Sequence, residues 1–150
     1  IWGELITFVY DLMKLTTKIS TLSTRQKKKI VRETIHWCVE FFGTNNRRKE
    51  SFSYKVIPQP KRHLKKYGKT HGQFDEIDNI LVIFPENNID IREIIKTTIH
   101  EYTHYMQPIR SKYLELDERF SYEDNPLEVQ ARTNERLYRN CWKKIKKNII

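Results

Sequence analysis

The residues best suited to chemistry are two histidines within one short segment, His100-Glu101-Tyr102-Thr103-His104. On an α-helix, residues four apart lie on one face, separated by about 40° around the axis, so both imidazoles can bind one metal ion. Glu101 follows the first histidine and can take a proton from a water molecule held at that ion. The pattern therefore favours metal-assisted hydrolysis. The alternative is an amphipathic helix that simply presents two solvated histidines on its polar face.

A catalytic metal site of this type needs a third protein ligand. No histidine follows His104, so the third ligand is either a downstream carboxylate or one of the upstream histidines. The candidates are His36, His63, His71, Glu115, Asp117, Glu118, Glu123, Asp124 and Glu128. We select Glu128, because it lies in the first turns of a predicted helix and would project from a rigid element. In the alternative interpretation, Glu128 only completes a capping box with Asn125.

Two segments taken together resemble the gluzincin arrangement of zinc metallopeptidases. They are His100-Glu101-x-x-His104 and Asn125-Pro126-Leu127-Glu128-Val129-Gln130-Ala131. They are similar to small metallopeptidases of phages, viruses and bacteria that pair H-E-x-x-H-x-x-Q with N-P-x-E-x-x-A, over about residues 72–138. The resemblance implies a zincin-like fold, in which the strand ending at Phe84 is the edge strand that lines a substrate cleft.

The resemblance also implies the roles of individual residues. His100, His104 and Glu128 would bind Zn²⁺, and Glu101 would activate a zinc-bound water that hydrolyses a peptide bond of a peptide or protein substrate. Tyr122 and Tyr113 are both candidates for the oxyanion donor, and the sequence does not choose between them.

One further residue could support the site from outside. Gln107 lies one turn after His104 and is a candidate hydrogen-bond partner for that histidine, with packing or solvent exposure as the alternative.

The elements that would position this site predict an α+β fold. Helical periodicity and capping patterns predict about four helices, and alternating apolar residues predict a small, mostly antiparallel sheet on one side of the metal-binding helix. Ile109 to Asp124 is expected to be irregular or a short helix. The predicted helices are Trp2 to about Ile19, Thr24–Phe42, Asp90 to about Met106 and Asn125 to beyond Ile145, and the predicted strands are Ser51–Ile57, His71–Glu76 and Asn79–Phe84. We expect residues 1–150 to form a single domain, with Cys38 and Cys141 as buried free thiols.

The charge of the chain suggests a second type of partner. The formal net charge is +9, with basic clusters at Arg25–Lys29, Arg47–Lys49, Lys61–Lys66 and Lys143–Lys147. A balance this basic favours nucleic acid or another acidic partner, although a lysine-rich surface can also serve solubility alone. A basic nucleic-acid-associated protein is therefore one alternative function.

A catalytically silent zincin-like interaction module is the other alternative function, and the intact Glu101 argues against it.

No apolar segment approaches the length of a membrane span, and the expected location is the cytoplasm, with a phage or virus as one source of such a chain. Because the first residue is Ile1, a removed secretion signal remains an alternative.

Overall fold

The computed structural model describes residues 1–48, 50–58, 70–108 and 110–149, and all side chains within them except those of residues 110, 111 and 113. Six α-helices and three strands form in this part of the chain. The helices are α1 (Trp2–Leu15), α2 (Thr24–Phe42), α3 (Ile91–Met106), α4 (Arg110–Arg119), α5 (Pro126–Asn134) and α6 (Tyr138–Ile149), and the strands are β1 (Ser53–Val56), β2 (Gly72–Asp75) and β3 (Ile80–Ile83). The α+β class is confirmed.

The predicted helix ends are confirmed where local capping decides them. Ser23 and Gln26 exchange both hydrogen bonds of a capping box at the start of α2, which ends at Gly43 with a positive φ of 83°. The first helix is shorter than predicted and ends at Leu15. Its continuation pairs instead with the segment before α3: the Ile19 amide donates to Ile89 O, and the Ile91 amide donates to Thr17 O. A long-range backbone pairing therefore replaces the last predicted turn.

The number of helices exceeds the expected four by two, for two local reasons. A 3₁₀ turn, Glu135–Leu137, joins α5 to α6, so these two form the single last helix that the sequence predicts. The additional helix is α4, which forms within the segment expected to be irregular or only briefly helical.

The sheet is mixed rather than mostly antiparallel, so that expectation is wrong in part. The strand order is β1-β3-β2, with β2 antiparallel and β1 parallel to β3. The antiparallel pair is a tight hairpin in which Asp75 Oδ1 accepts hydrogen bonds from the amides of Ile77 and Asp78. A long segment separates β1 from β2, and that length leaves the direction of β1 to tertiary packing. As a result β3 is the central strand, and the strand on the edge beside α3 is β2.

The core lies between α3, the sheet, α2 and α6. Ile95, Ile99 and Tyr102 of α3 are fully buried against this core, as the apolar face of that helix predicts. Each buried aliphatic side chain of this kind contributes about 1.5–3 kcal/mol to stability. Cys38 and Cys141 are buried and free in this core, as expected. No helix in the described part of the chain is long and apolar enough to cross a membrane.

Candidate metal centre

The helix α3 presents its two histidines on the side opposite to its apolar face. Its first turn is capped by Asp90, whose Oδ1 accepts a hydrogen bond of 2.9 Å from the Glu93 amide. His100 and His104 are each partly buried at the wall of a cleft, with ring centroids 4.9 Å apart. The two histidines therefore face a common point on a rigid, buried helix, rather than bulk solvent.

Three ligand atoms converge at that point. His100 Nε2 lies 3.2 Å from Glu128 Oε2, and His104 Nε2 lies 3.1 Å from Glu128 Oε1. The two Nε2 atoms are 3.2 Å apart. Ligands that share a tetrahedral zinc ion at about 2.0–2.2 Å are separated by roughly 3.3–3.5 Å, so the observed spacing is close to that of a metal site. The group formed by His100, His104 and Glu128 can hold a metal ion.

The position of Glu128 bears on its two interpretations. The cap at the start of α5 is made by Asn125, whose Oδ1 accepts a hydrogen bond of 3.0 Å from the Leu127 amide, and Pro126 occupies the first turn. The Glu128 side chain is buried, with both carboxylate oxygens against the histidines. This placement supports Glu128 as the third ligand.

The other candidates for the third ligand lie elsewhere. Glu115 pairs with Lys112 and Arg119 on the surface of α4, and Asp124 accepts from Ser121. His36 is exposed on α2, and His71 lies 3.7 Å from Glu93. His63 lies outside the described residues. Asp117, Glu118 and Glu123 are exposed.

The tautomer of His104 follows from its contact with Gln107. Gln107 Nε2 donates a hydrogen bond of 2.8 Å to the backbone carbonyl of Leu127, an oxygen that can only accept. The other amide atom, Oε1, lies 2.7 Å from His104 Nδ1. Since Oε1 can only accept, Nδ1 carries the proton, and in the neutral ring the lone pair of Nε2 points at the centre. The candidate role of Gln107 as a partner of His104 is therefore confirmed.

His100 is oriented in the same way by a residue that the sequence did not suggest. Its Nδ1 lies 3.0 Å from Glu135 Oε2, and a carboxylate at this position fixes the proton on Nδ1. Glu135 lies seven residues after Glu128, two turns further along the same helical segment. This spacing is the signal that could have identified it.

These two contacts leave three electron-pair donors facing one another. Two Nε2 lone pairs and a carboxylate meet within hydrogen-bond distance, and like partial charges in such contact require a cation or protons between them. Burial lowers the pKa of His100, but its hydrogen bonds to Glu128 and Glu135 outweigh burial and raise that pKa to about 10. The pKa of His104 is also raised: burial lowers it, and the Glu128 hydrogen bond and the Glu101 charge prevail. Protons and a metal ion would therefore compete for the same space.

Glu101 lies beside the convergent donors without belonging to them. It is buried at the wall of the cleft, and burial raises its pKa, while His104 and His100 oppose that shift. A carboxylate whose pKa is raised by burial is a stronger base and accepts a proton more readily.

Of the two candidate oxyanion donors, Tyr122 lines the cleft. Burial, together with the Glu128 and Glu101 carboxylates, raises the pKa of Tyr122 to about 12, so its phenol keeps its proton. The backbone of Tyr113 belongs to α4, and its side chain lies outside the described residues.

The cleft has a volume of about 750 Å³ and runs between β2, α3 and the start of α5. Gly72 is the first residue of β2 and lies against α3. A Cβ at this position would meet Thr97 Cγ2 at 2.8 Å and Ile83 Cδ1 and Val82 O at 3.0 Å. Because Gly72 has no side chain, β2 can approach α3 this closely. The expectation that the strand ending at Phe84 lines the cleft is wrong, because that strand lies in the middle of the sheet.

Arg48 belongs to the basic cluster Arg47–Lys49, but its side chain contacts α3, the helix that carries the two histidines. Its guanidinium donates to the carbonyls of Tyr105, His104 and Gln107 at 2.9–3.2 Å, which satisfies the last turn of α3. It also stacks over the Phe74 ring of β2 at 4.8 Å. The guanidinium of Arg48 therefore connects α3 to β2.

The chain has no match among family models, curated proteins or solved structures. The functional assignment consequently depends on the geometry and chemistry of the residues themselves.

Proposed function

We propose that the chain is a zinc-dependent metallopeptidase of the gluzincin type. The observation that carries the proposal is the meeting of His100 Nε2, His104 Nε2 and a Glu128 carboxylate beside Glu101, in an open cleft. Two imidazoles and one carboxylate are a frequent zinc donor set in hydrolases, where a fourth position remains for water or substrate. When bound there, the ion would polarise a scissile carbonyl and lower the pKa of water.

The residues of the chain supply the proton transfers. Glu101 accepts the proton of the attacking water on its carboxylate and returns it to the leaving amine. The upward shift of its pKa favours the first step, because it makes the carboxylate a stronger base, and the protonated carboxyl is then the acid of the second step. The Tyr122 phenol, protonated up to about pH 12, donates a hydrogen bond to the developing oxyanion.

A peptide fits this cleft better than a compact substrate would, because the cleft borders an edge of the sheet that the described residues form. The strand β2 pairs with β3 on one side and, among the described residues, has no partner strand on the other. An extended peptide can add to such an edge through main-chain hydrogen bonds. Phe74, Leu127 and Leu114 line the same cleft and offer apolar contacts to side chains.

The decisive experiment separates metal binding from catalysis. Purified protein should contain close to one zinc per chain by elemental analysis, and should cleave members of a broad peptide library detected by mass spectrometry. Glu101→Gln should keep zinc and the fold, but should lower cleavage by about 10²–10⁴-fold, because an amide cannot take the proton. Glu93→Gln is the matched control: it makes the same change on the same helix, away from the donors, and should retain activity.

Two outcomes would contradict the proposal. Full cleavage by Glu101→Gln would exclude the base, and protein without any transition metal, never exposed to a chelator, would exclude the metalloenzyme. A zinc-loaded wild type that cleaves no peptide would favour the silent interaction module. Tight, strongly salt-dependent nucleic-acid binding without cleavage would favour the nucleic-acid-associated alternative.

A further inference from the structure

Three basic side chains surround Tyr138, the first residue of α6. Arg92 and Lys96 lie four residues apart on α3, so they project from the same face of that helix. Arg139 follows Tyr138 on α6 and is exposed. None of these four residues lines the cleft of the metal centre. We call them together the Tyr138 cluster.

The basic groups reach the phenol of Tyr138 from both helices. Arg139 Nε donates a hydrogen bond of 3.1 Å to the Tyr138 hydroxyl oxygen. Lys96 Nζ lies 5.0 Å from the centre of the Tyr138 ring, and the guanidinium carbon of Arg139 lies 5.8 Å from it. Burial raises the pKa of Tyr138, but the contacts of Arg139 and Arg92 and the charge of Lys96 outweigh burial and lower that pKa. The electrostatic potential at the hydroxyl is therefore positive.

This positive charge is only partly balanced. Arg92 Nη2 lies 3.8 Å from Asp90 Oδ2. Neither Lys96 nor Arg139 forms an ion pair with a carboxylate in the part of the chain that the structure describes. Three positive charges and one negative charge leave an excess of two at the cluster.

The glutamates that are closest in sequence to the cluster have other partners. Glu93 Oε2 lies 3.7 Å from His71 Nδ1. Glu135 Oε2 lies 3.0 Å from His100 Nδ1, where it orients that ring. Both carboxylates are therefore directed to histidines, and an anion from outside the chain can supply the missing charge.

The Tyr138 hydroxyl adds a hydrogen-bond donor to the cluster. Its oxygen accepts a hydrogen bond from Arg139, and its own proton is donated to no acceptor within the described ranges. A phosphate monoester offers three acceptor oxygens and carries a charge of about −1.5 to −2 at pH 7. Guanidinium, ammonium and hydroxyl groups are the donors that such oxygens accept from. The charge and the donors of the cluster thus match one phosphate group.

We propose that the Tyr138 cluster binds the phosphate group of a phosphate monoester. The guanidinium groups of Arg92 and Arg139 and the ammonium group of Lys96 would contact its oxygens, and the Tyr138 hydroxyl would donate to one of them. Charge favours a monoester over a diester, because each phosphate of a nucleic-acid backbone carries a single negative charge. The site lies outside the cleft of the metal centre, so it does not depend on the proposed peptidase activity.

The test is an NMR titration of the isotope-labelled full chain with inorganic phosphate, at physiological ionic strength maintained with chloride. The Nε–H resonances of arginine side chains report contact with an anion directly. We expect saturable binding in the millimolar range, with shifts of the Nε–H resonances of Arg92 and Arg139. Methyl phosphate should bind as inorganic phosphate does. Dimethyl phosphate should bind at least about tenfold more weakly, because it lacks one charge and one charge-assisted hydrogen bond.

Two variants locate the bound ion. Arg139→Gln should weaken phosphate binding by about tenfold or more, because a charge-assisted hydrogen bond is lost. Since the Arg139 guanidinium also lies 5.3 Å from the centre of the Phe8 ring, Lys96→Gln is a second variant that keeps this contact. Lys96→Gln should weaken binding by about fivefold or more.

Lys144→Gln is the matched control. It removes one positive charge from an exposed position of α6, roughly 140° around the helix from Arg139. We expect phosphate affinity to change by less than about twofold in this variant, because salt screens an exposed charge at that distance.

A short phosphoserine peptide and its unphosphorylated form identify the source of the phosphate group. Tighter binding of the phosphoserine peptide than of inorganic phosphate would assign the ligand to a modified protein. Equal or weaker binding would assign it to a free small molecule. The unphosphorylated peptide should not shift the arginine resonances.

Three results would overturn the proposal. One is the absence of saturable phosphate binding by the wild type. Another is full phosphate affinity in both Arg139→Gln and Lys96→Gln, which would place the ion elsewhere on the protein. The third is equal affinity for methyl phosphate and dimethyl phosphate, which would favour the backbone of a nucleic acid as the partner.

Discussion

The candidate metal centre and the exposed apolar side chains of α1 differ in how their side chains are held. In the centre, His100 and His104 each have a ring nitrogen anchored by a partner, Glu135 or Gln107, before any ligand arrives. On α1, Ile6 and Met13 project into solvent. A site that presents donors to a small ion needs orientation in advance, whereas exposed apolar side chains on a surface helix need no such partners.

The largest expected effect is at Glu128, the proposed third ligand. Glu128→Gln should weaken zinc affinity by about 10²–10³-fold, because the carboxylate charge and one metal bond are lost, while the apo fold persists. The capping interpretation predicts little change, since glutamine also serves in a capping box. Competition with a chromogenic chelator measures the affinity, and Glu123→Gln is the control that should keep it. Unchanged affinity in Glu128→Gln would move the ligand to another carboxylate.

The next effect concerns orientation rather than ligation. Gln107→Leu removes the acceptor that holds the proton on His104 Nδ1, with nearly unchanged side-chain volume. We expect a loss of about 10- to 100-fold in zinc affinity, as for other residues that orient metal ligands. Gln107 Nε2 also donates a hydrogen bond of 2.8 Å to Gln130 Oε1, and Gln130→Leu, which removes only this acceptor, should cost less than Gln107→Leu. Equal losses for both variants would argue that general packing, rather than the ring tautomer, sets the affinity.

A smaller effect is expected where the edge strand approaches the metal helix. Gly72→Ala should lower the free energy of unfolding by about 1–3 kcal/mol, because its Cβ meets Thr97 and the neighbouring strand. Adding Thr97→Ser removes the nearest methyl group but keeps the hydroxyl that donates to Asn88 Oδ1, so it should restore part of the loss. Denaturant unfolding of the two single variants and the double variant gives the coupling. Additive losses would mean that β2 and α3 do not press on each other here.

The smallest effect is on the stability of the exposed helix. Ile6→Ser should change the free energy of unfolding by less than about 0.5 kcal/mol and leave zinc affinity unchanged, because the side chain is mostly in water. Leu15→Ala, on the buried side of the end of α1, should cost about 2–5 kcal/mol in the same measurement. A large loss for Ile6→Ser would show that this side chain packs within the protein, and would remove the contrast with the candidate metal centre.

Elements whose signals are local could be predicted closely from the sequence. Three of these features depend only on residues within one or two helical turns. They are the capping box at Ser23, the apolar face of α3, and the positions of His100, Glu101 and His104. Glu128 could be selected on the same ground, because Asn125 and Pro126 mark the start of its helix.

The parts that escaped prediction join distant segments. Three features depend on which elements pack together. They are the parallel pairing of β1 with β3, the position of β2 at the edge of the sheet, and the close approach of β2 to α3 at Gly72. The sequence placed Arg48 only in a basic cluster, because its carbonyl partners on α3 lie more than 50 residues away along the chain.

The sequence by itself determined the candidate ligand types and the helix that carries two of them, because a four-residue spacing on an α-helix puts both imidazoles on one face whatever surrounds it. Only the tertiary structure decided which nitrogen of each ring carries the proton. That choice depends on Gln107, held by the Leu127 carbonyl 20 residues away, and on Glu135, which lies 35 residues from His100. Hydrogen bonds across such separations form only after the helices have packed, so no local pattern encodes them.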